Sequence, residues 1–168
     1  GDILGVQQSG QVAAIGFHLY CKLLKRAIDA LKKERPISFN ETKMEFPYDA
    51  RLPESYINEF SLRMELYHRH GEAASFAEID AIKAEMEDRF GKLPPPVIWL
   101  YHLTRIRAFA SANHFTFLKF NTVSFLAEQQ KGKLIEKKTI LLPQKVQSPE
   151  ALEAHVLEAL SKNFLLKI

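Results

Sequence analysis

The stretch Gly91-Lys92-Leu93-Pro94-Pro95-Pro96 constrains the fold more than any other part of the chain. Proline has no amide proton and clashes with the preceding turn, so no helix can run through this point. Glycine just past a helix end and proline at a helix start are each the preferred residue there, so one helix must stop at Gly91 and another must start at Pro95. Upstream, Ser75 and Glu78 have capping-box spacing, and Ile79, Ile82, Met86 and Phe90 then recur on one face. Downstream, Val97, Tyr101, Thr104 and Ala108 predict a helix from Pro95 to Ala112. Arg105 and Arg107 fall toward its C-terminal end, where the helix dipole favours positive charge.

The rest of the chain falls into place around this pair. Tyr20, Leu23, Leu24, Ala27, Ile28 and Leu31 form a stripe on a helix spanning Ile15 to Lys33. Three prolines make Arg35 to Tyr56 a connector, within which Thr42 to Phe46 alternates like a short edge strand. A helix is expected from an Asn58 N-cap to His70, with Leu62, Leu66 and Tyr67 inward and Gly71 as its stop. After Asn113 the composition turns aromatic and branched. Phe115 to Phe120, Thr122 to Glu128 and Leu134 to Leu142 read as strands, the last two joined by a loose loop at Gln130-Lys131-Gly132. Ser148-Pro149-Glu150 opens a helix to about Lys162, and Phe164 to Ile168 reads as a final strand. The expected class is α+β: a helical N-terminal part, then a small, mainly antiparallel β-sheet with a C-terminal helix.

Length allows one compact domain with an appended arm, divided here into residues 1–34 and 35–168. No apolar run approaches the roughly 20 residues that span a bilayer. The single cysteine, Cys21, cannot form an internal disulfide, and the expected setting is cytoplasmic. A formal charge of +3 is too small to argue for nucleic acid without a localised patch.

Reactive chemistry is sought and not found. Gly5 and Gly10 have phosphate-loop spacing, but Gln11 and Val12 replace the lysine and hydroxyl that hold the phosphates. His68 and His70 are two apart on a helix and face different ways, so they read as solvated surface histidines, with no metal site expected. Cys21 reads as a buried, inert thiol. Two surface features stand out. Glu85, Asp88 and Arg89 share one helix flank at i, i+3 and i+4, and Gln8-Ser9-Gly10 forms a polar turn rich in backbone donors.

Two blocks carry a resemblance. Gly1 to Gly10, GDILGVQQSG, followed by Ile15-Gly16-Phe17-His18-Leu19-Tyr20, resembles the end of the translocation motif shared by RecG and the bacterial transcription-repair coupling factors. Ile82 to Pro94, IKAEMEDRFGKLP, is similar to the I-K-x-E-L-x-D-R-F-G-x-L-P signature of the coupling factors' C-terminal domain. Leu52 to Ile57 and Arg63 to Arg69 also resemble that domain, so the likeness covers about residues 1–97. His70 departs from it: the family usually has an aliphatic residue there, which suggests a more exposed helix end in this chain.

The resemblance implies a regulatory, noncatalytic C-terminal domain of an ATP-dependent DNA translocase that removes stalled RNA polymerase at lesions and recruits nucleotide excision repair. Gly5, Gln8, Ser9 and Gly10 would be the remnant of its translocation motif, whose arginine would lie just before Gly1. Glu85, Asp88 and Arg89 would dock on the UvrB-like domain of the same protein and mask UvrA binding. No cofactor is expected in this fragment, whereas ATP and Mg would serve the parent motor domains. Its partners would be the UvrB-like domain directly, and UvrA, RNA polymerase and duplex DNA through the parent, with no membrane. The competing expectation is a noncatalytic duplex-DNA-binding accessory module of a RecG-like helicase, using Arg105, Arg107, Lys131, Lys133, Lys137 and Lys138.

Overall fold

The computed structural model describes residues 42–144, 146 and 148–166. The expected helix at Ile15 to Lys33, Cys21, and the motif residues Gly5, Gln8, Ser9 and Gly10 lie outside the described residues. The elements run β1 (Lys43–Glu45), α1 (Phe60–Glu72), α2 (Phe76–Phe90), α3 (Pro95–Ala112), β2 (Phe115–Phe120), β3 (Ser124–Lys131), β4 (Leu134–Leu141) and α4 (Pro149–Asn163). The strands form one sheet in the order β1-β2-β3-β4. β2, β3 and β4 meander antiparallel, while β1 adds parallel to β2, so the fold is α+β with one parallel pair at its edge.

Met44, Leu118, Ala127 and Phe125 are buried on the sheet face that carries the helices. A bulge between Phe115 and Phe117 turns Phe115 onto that face as well. Its ring there meets Phe164 edge-on, at 4.8 Å between centroids. α3 is the central helix: it packs on α4, on α2 and on β2. It buries Val97, Leu100, Leu103, Thr104, Ile106 and Ala108, a stripe too wide for a helix with one solvated half. Thr42 fastens the entry to β1, its hydroxyl donating to the Phe115 carbonyl at 2.6 Å and its amide to Ser111 Oγ at 3.1 Å.

The proline-glycine boundary behaves as its chemistry requires. α2 ends with Gly91 at φ 91°, and α3 begins at Pro95. The Glu78 amide donates to Ser75 Oγ at 3.2 Å, while the Glu78 carboxylate reaches back to the Ala74 amide at 3.4 Å. Ser148 caps α4 in the same way through the Ala151 amide.

Five expectations are corrected. α1 starts after Glu59, not at an Asn58 cap, because Arg63 holds the Ile57 and Asn58 carbonyls outside the helix. Gly71 lies inside α1, which closes at Ala73 through a bond from its amide to the Arg69 carbonyl. The β3–β4 connection is tight: Lys131 pairs with Leu134, leaving only Gly132 and Lys133 in the turn. β3 starts two residues late, at Ser124, since Asn121 Oδ1 accepts from the Val123 and Ser124 amides and keeps them in a turn. Phe164 to Leu166 is no strand either: Leu165 has φ 52°, and the Leu166 amide returns to the Ser161 carbonyl, closing α4.

Candidate functional site

The flank of α2 around Glu85 is assembled from two helices. Arg69, near the C-terminal end of α1, grips Glu85 with both terminal nitrogens, at 2.6 Å to Oε2 and 3.0 Å to Oε1. One turn on, Arg89 donates to the same Oε2 at 3.0 Å. Hydrogen bonding from Arg69, then from Arg89, holds the Glu85 carboxyl below its ordinary range, and the Arg69 guanidinium is correspondingly raised. Asp88 is exposed and has no hydrogen-bond or ion-pair partner among the described residues. Arg89 also lies over the Phe90 ring at 4.9 Å, and Phe90 meets Tyr56 edge-on. The Tyr56 hydroxyl bonds the Gly91 carbonyl at 2.7 Å, so the cluster is backed by a fixed aromatic wall. Glu85, Asp88 and Arg89 therefore do share one flank, but Glu85 is already neutralised from within. Arg69 is the member that helical spacing along α2 alone could not reveal.

A second polar cluster joins α2, α3 and α4. Arg105 donates to Asp80 at 2.8 Å and to Glu153 at 2.9 Å, and its guanidinium lies 4.0 Å above the Phe76 ring. His102 Nδ1 meets the same Glu153 oxygen at 2.9 Å. The Tyr101 hydroxyl donates to Asp80 at 2.6 Å, and burial together with that bond pushes the phenol up to about 12. Burial alone would raise Glu153, but the bonds from His102 and Arg105 outweigh it and leave the carboxyl below its ordinary range. Every group in this cluster faces another of opposite character, which suits a structural joint.

The basic residues expected to line a nucleic-acid face are dispersed. Arg105 sits in the joint just described, and Arg107 is buried, donating to the His70 carbonyl at 2.5 Å. Neither serves the helix dipole at the end of α3, contrary to expectation, because both reach sideways to other elements. On the hairpin, Lys131 and Lys138 pair with Glu136, and Lys137 pairs with Glu128.

The histidine expectation is corrected too. His70 is completely buried, with Nδ1 donating to the Leu66 carbonyl at 2.7 Å and Nε2 without a partner among the described residues. Its helix end is therefore not more exposed than an aliphatic residue would be. Burial, reinforced by the charges of Arg107 and Arg69, pulls its pKa to about 4, so it is neutral at pH 7. His68 is largely covered and meets Glu72 at 3.2 Å. Among the described residues no group of three or more His, Cys, Asp or Glu side chains could hold a metal ion, and no helix is long and apolar enough to cross a membrane.

Helices packed on a small four-stranded sheet, with a salt-bridged charged flank and a polar joint between α2, α3 and α4, define an α+β domain. The TRCF domain family matches residues 46–139, more than half of the chain, and the chain belongs to that family. It is 40% identical over 112 residues to a transcription-repair-coupling factor of Haemophilus influenzae and 38% identical over 112 residues to that of Escherichia coli, covering 64% of this chain in each case. It is 32% identical over 120 residues, 71% of the chain, to the Bacillus subtilis factor. The chain spans only about a tenth of the length of these relatives. A crystal structure of the C-terminal domain of a transcription-repair coupling factor superposes with a TM-score of 0.55 at 13% identity, covering 73% of this chain and 96% of that one, which establishes the shared fold.

Proposed function

We propose that this domain is the regulatory C-terminal part of an ATP-dependent DNA translocase that removes stalled RNA polymerase at lesions and recruits nucleotide excision repair. It docks on the UvrB-like domain of the same protein through the α2 flank and masks the surface that binds UvrA. The observation that supports this reading is the flank itself, where Asp88 stands exposed, with no partner among the described residues, beside a Glu85 carboxylate held in fixed orientation by Arg69 and Arg89. Charge pairs at a partly solvated interface give selectivity with modest affinity. Tethering within one protein raises effective concentration enough for such a weak contact to close, and a conformational change can still release it.

Residues 1–34 then comprise the end of the translocation motif, with Gly5, Gln8, Ser9 and Gly10, and the segment that connects it to this domain. ATP and Mg belong to motor domains elsewhere in a cytoplasmic parent, and RNA polymerase and duplex DNA are reached through that parent. The chain alone hydrolyses no ATP on this reading, and DNA-stimulated turnover by the pure fragment would overturn it.

The test is charge reversal in the complete protein. Asp88→Arg is the cleaner variant, because it breaks no bond among the described residues, whereas Glu85→Arg also releases Arg69. Exposed UvrA binding and a rise in basal DNA affinity or ATPase activity are expected from Asp88→Arg. Unchanged behaviour in all these assays would count against docking through this flank.

A further inference from the structure

The two edges of the sheet are unequal. β1 is three residues long, whereas β4 presents an eight-residue outer edge on which no strand pairs among the described residues. Hairpin geometry settles which of its backbone groups are free. Because Lys131 and Leu134 close a two-residue turn, Leu134, Glu136, Lys138 and Ile140 bond to β3, and the amides and carbonyls of Ile135, Lys137, Thr139 and Leu141 point outward. Edges of this length are ordinarily blunted by proline, bulges, short strands or charged side chains, and of these β4 has only its central lysines. It exposes apolar side chains at both ends, Leu134 at 75% and Ile135 at 52% at one end and Leu141 at 81% at the other, where Val123 of the turn before β3 is 62% exposed. Lysine occupies the middle.

The lysines decide what can pair there. A second copy adding by two-fold symmetry must oppose outward-bonding residues with outward-bonding residues, so the opposed positions are both odd-numbered or both even-numbered. The two registers of greatest overlap then set Lys137 against its own copy, with Lys138 facing Glu136, or Lys138 against its own copy; like charges directly opposed are destabilising, so neither register is free of repulsion. Lys133 in the turn has no ion-pair partner among the described residues, and the segment 131–141 carries four lysines against one glutamate. Glu136 and Glu128 answer Lys131, Lys137 and Lys138, yet four lysines against these two glutamates leave the edge with a net positive charge that favours an acidic partner.

We infer that β4 is a docking edge for an extended, acidic segment of a partner protein, which adds as a fifth strand. Its side chains on the open face alternate with the pleat. In the antiparallel arrangement an acidic residue opposes Lys137, an apolar residue two positions later opposes Ile135, and another four positions earlier opposes Leu141.

The test is titration of the isotope-labelled 168-residue chain with the capped peptide Val-Thr-Thr-Thr-Glu-Thr-Val. Its counterparts carry lysine for glutamate or proline for the central threonine. Binding by the acidic peptide alone is expected, with hydrogen-exchange protection gained at Ile135, Lys137, Thr139 and Leu141 and unchanged at Leu134, Glu136, Lys138 and Ile140. Lys137→Glu should weaken the acidic peptide about tenfold and let the lysine peptide bind. The inference fails if millimolar acidic peptide leaves the alternating amides unprotected, or if the lysine peptide binds the unaltered chain equally well. It also fails if the chain dimerises through β4, or if duplex DNA rather than peptide occupies the edge.

Discussion

Arg69 of α1 and Glu85 of α2 are joined by two parallel N–H to carboxylate bonds, 2.6 and 3.0 Å long, across a helix pair that otherwise touches sparsely. Both side chains are about a third exposed, so screening limits what the bidentate geometry contributes. A double-mutant cycle of Arg69→Ala and Glu85→Ala, read by urea unfolding, should give a coupling of about 1 kcal/mol. A coupling indistinguishable from zero would remove Arg69 from the flank.

Burial of neutral His70 makes the domain acid-sensitive. Its folded pKa of about 4 lies below the ordinary 6.5, so the unfolded chain binds the extra proton in the interval between. Stability is complete above pH 6.5 and falls by about 3 kcal/mol as pH drops to 4. The depressed carboxyls of Asp80, Glu85 and Glu153 lose their contribution only below the ordinary carboxylate range, so the upper part of this window belongs to His70. Denaturant titrations at several pH values should show the slope, and His70→Leu should flatten it between pH 5 and 6.5.

Glu153 is the shared acceptor of His102 and Arg105, with only 14% of its side chain exposed. Glu153→Ala leaves a guanidinium and an imidazole facing each other across the α3–α4 contact, and should cost about 2 kcal/mol in urea unfolding. Glu153→Gln, which can still accept a hydrogen bond, should cost less. Equal costs would mean that packing, not the polar joint, is what the glutamate supplies.

Gly132 has φ 62° at the first central position of its two-residue turn, and Lys133 does not share the positive φ, which is the pattern of a type II′ hairpin. Nothing lies within 4 Å of the place a Cβ would occupy, so the cost of a side chain there is backbone strain alone. Gly132→Ala should therefore destabilise by about 1 kcal/mol in thermal unfolding. No change would place the turn in another conformation.

These measurements bear on how far the sequence could be read. The limits of α3 were legible at both ends, because proline and a change to branched, aromatic composition are local signals that tertiary contacts rarely override. Gly71 misled because a helix tolerates glycine when its last turn is held by packing, and the Phe164 segment misled because a short, mostly apolar run does not say whether it pairs or folds back under a ring. His70 counts as polar in any periodicity argument, yet one bond to the Leu66 carbonyl suffices to bury it in neutral form. Of the flank, spacing revealed the three residues on α2. Arg69 arrives from another helix, and the tip of a long side chain leaves no trace in spacing.

The parallel pairing of β1 carries a mechanical consequence. β1 and β2 are neighbours in the sheet, yet the whole run of α1, α2 and α3 intervenes between them in the chain, and only three residue pairs join them, against eight between β3 and β4. Tension applied to the chain ahead of Thr42 is borne first by that short ladder and by the Thr42 bonds to Ser111 and Phe115. The hairpin lies beyond it and is spared. β1 thus acts as a fuse: a pull from the N-terminal side would detach one strand and free the chain ahead of α1 before the rest of the sheet felt the load.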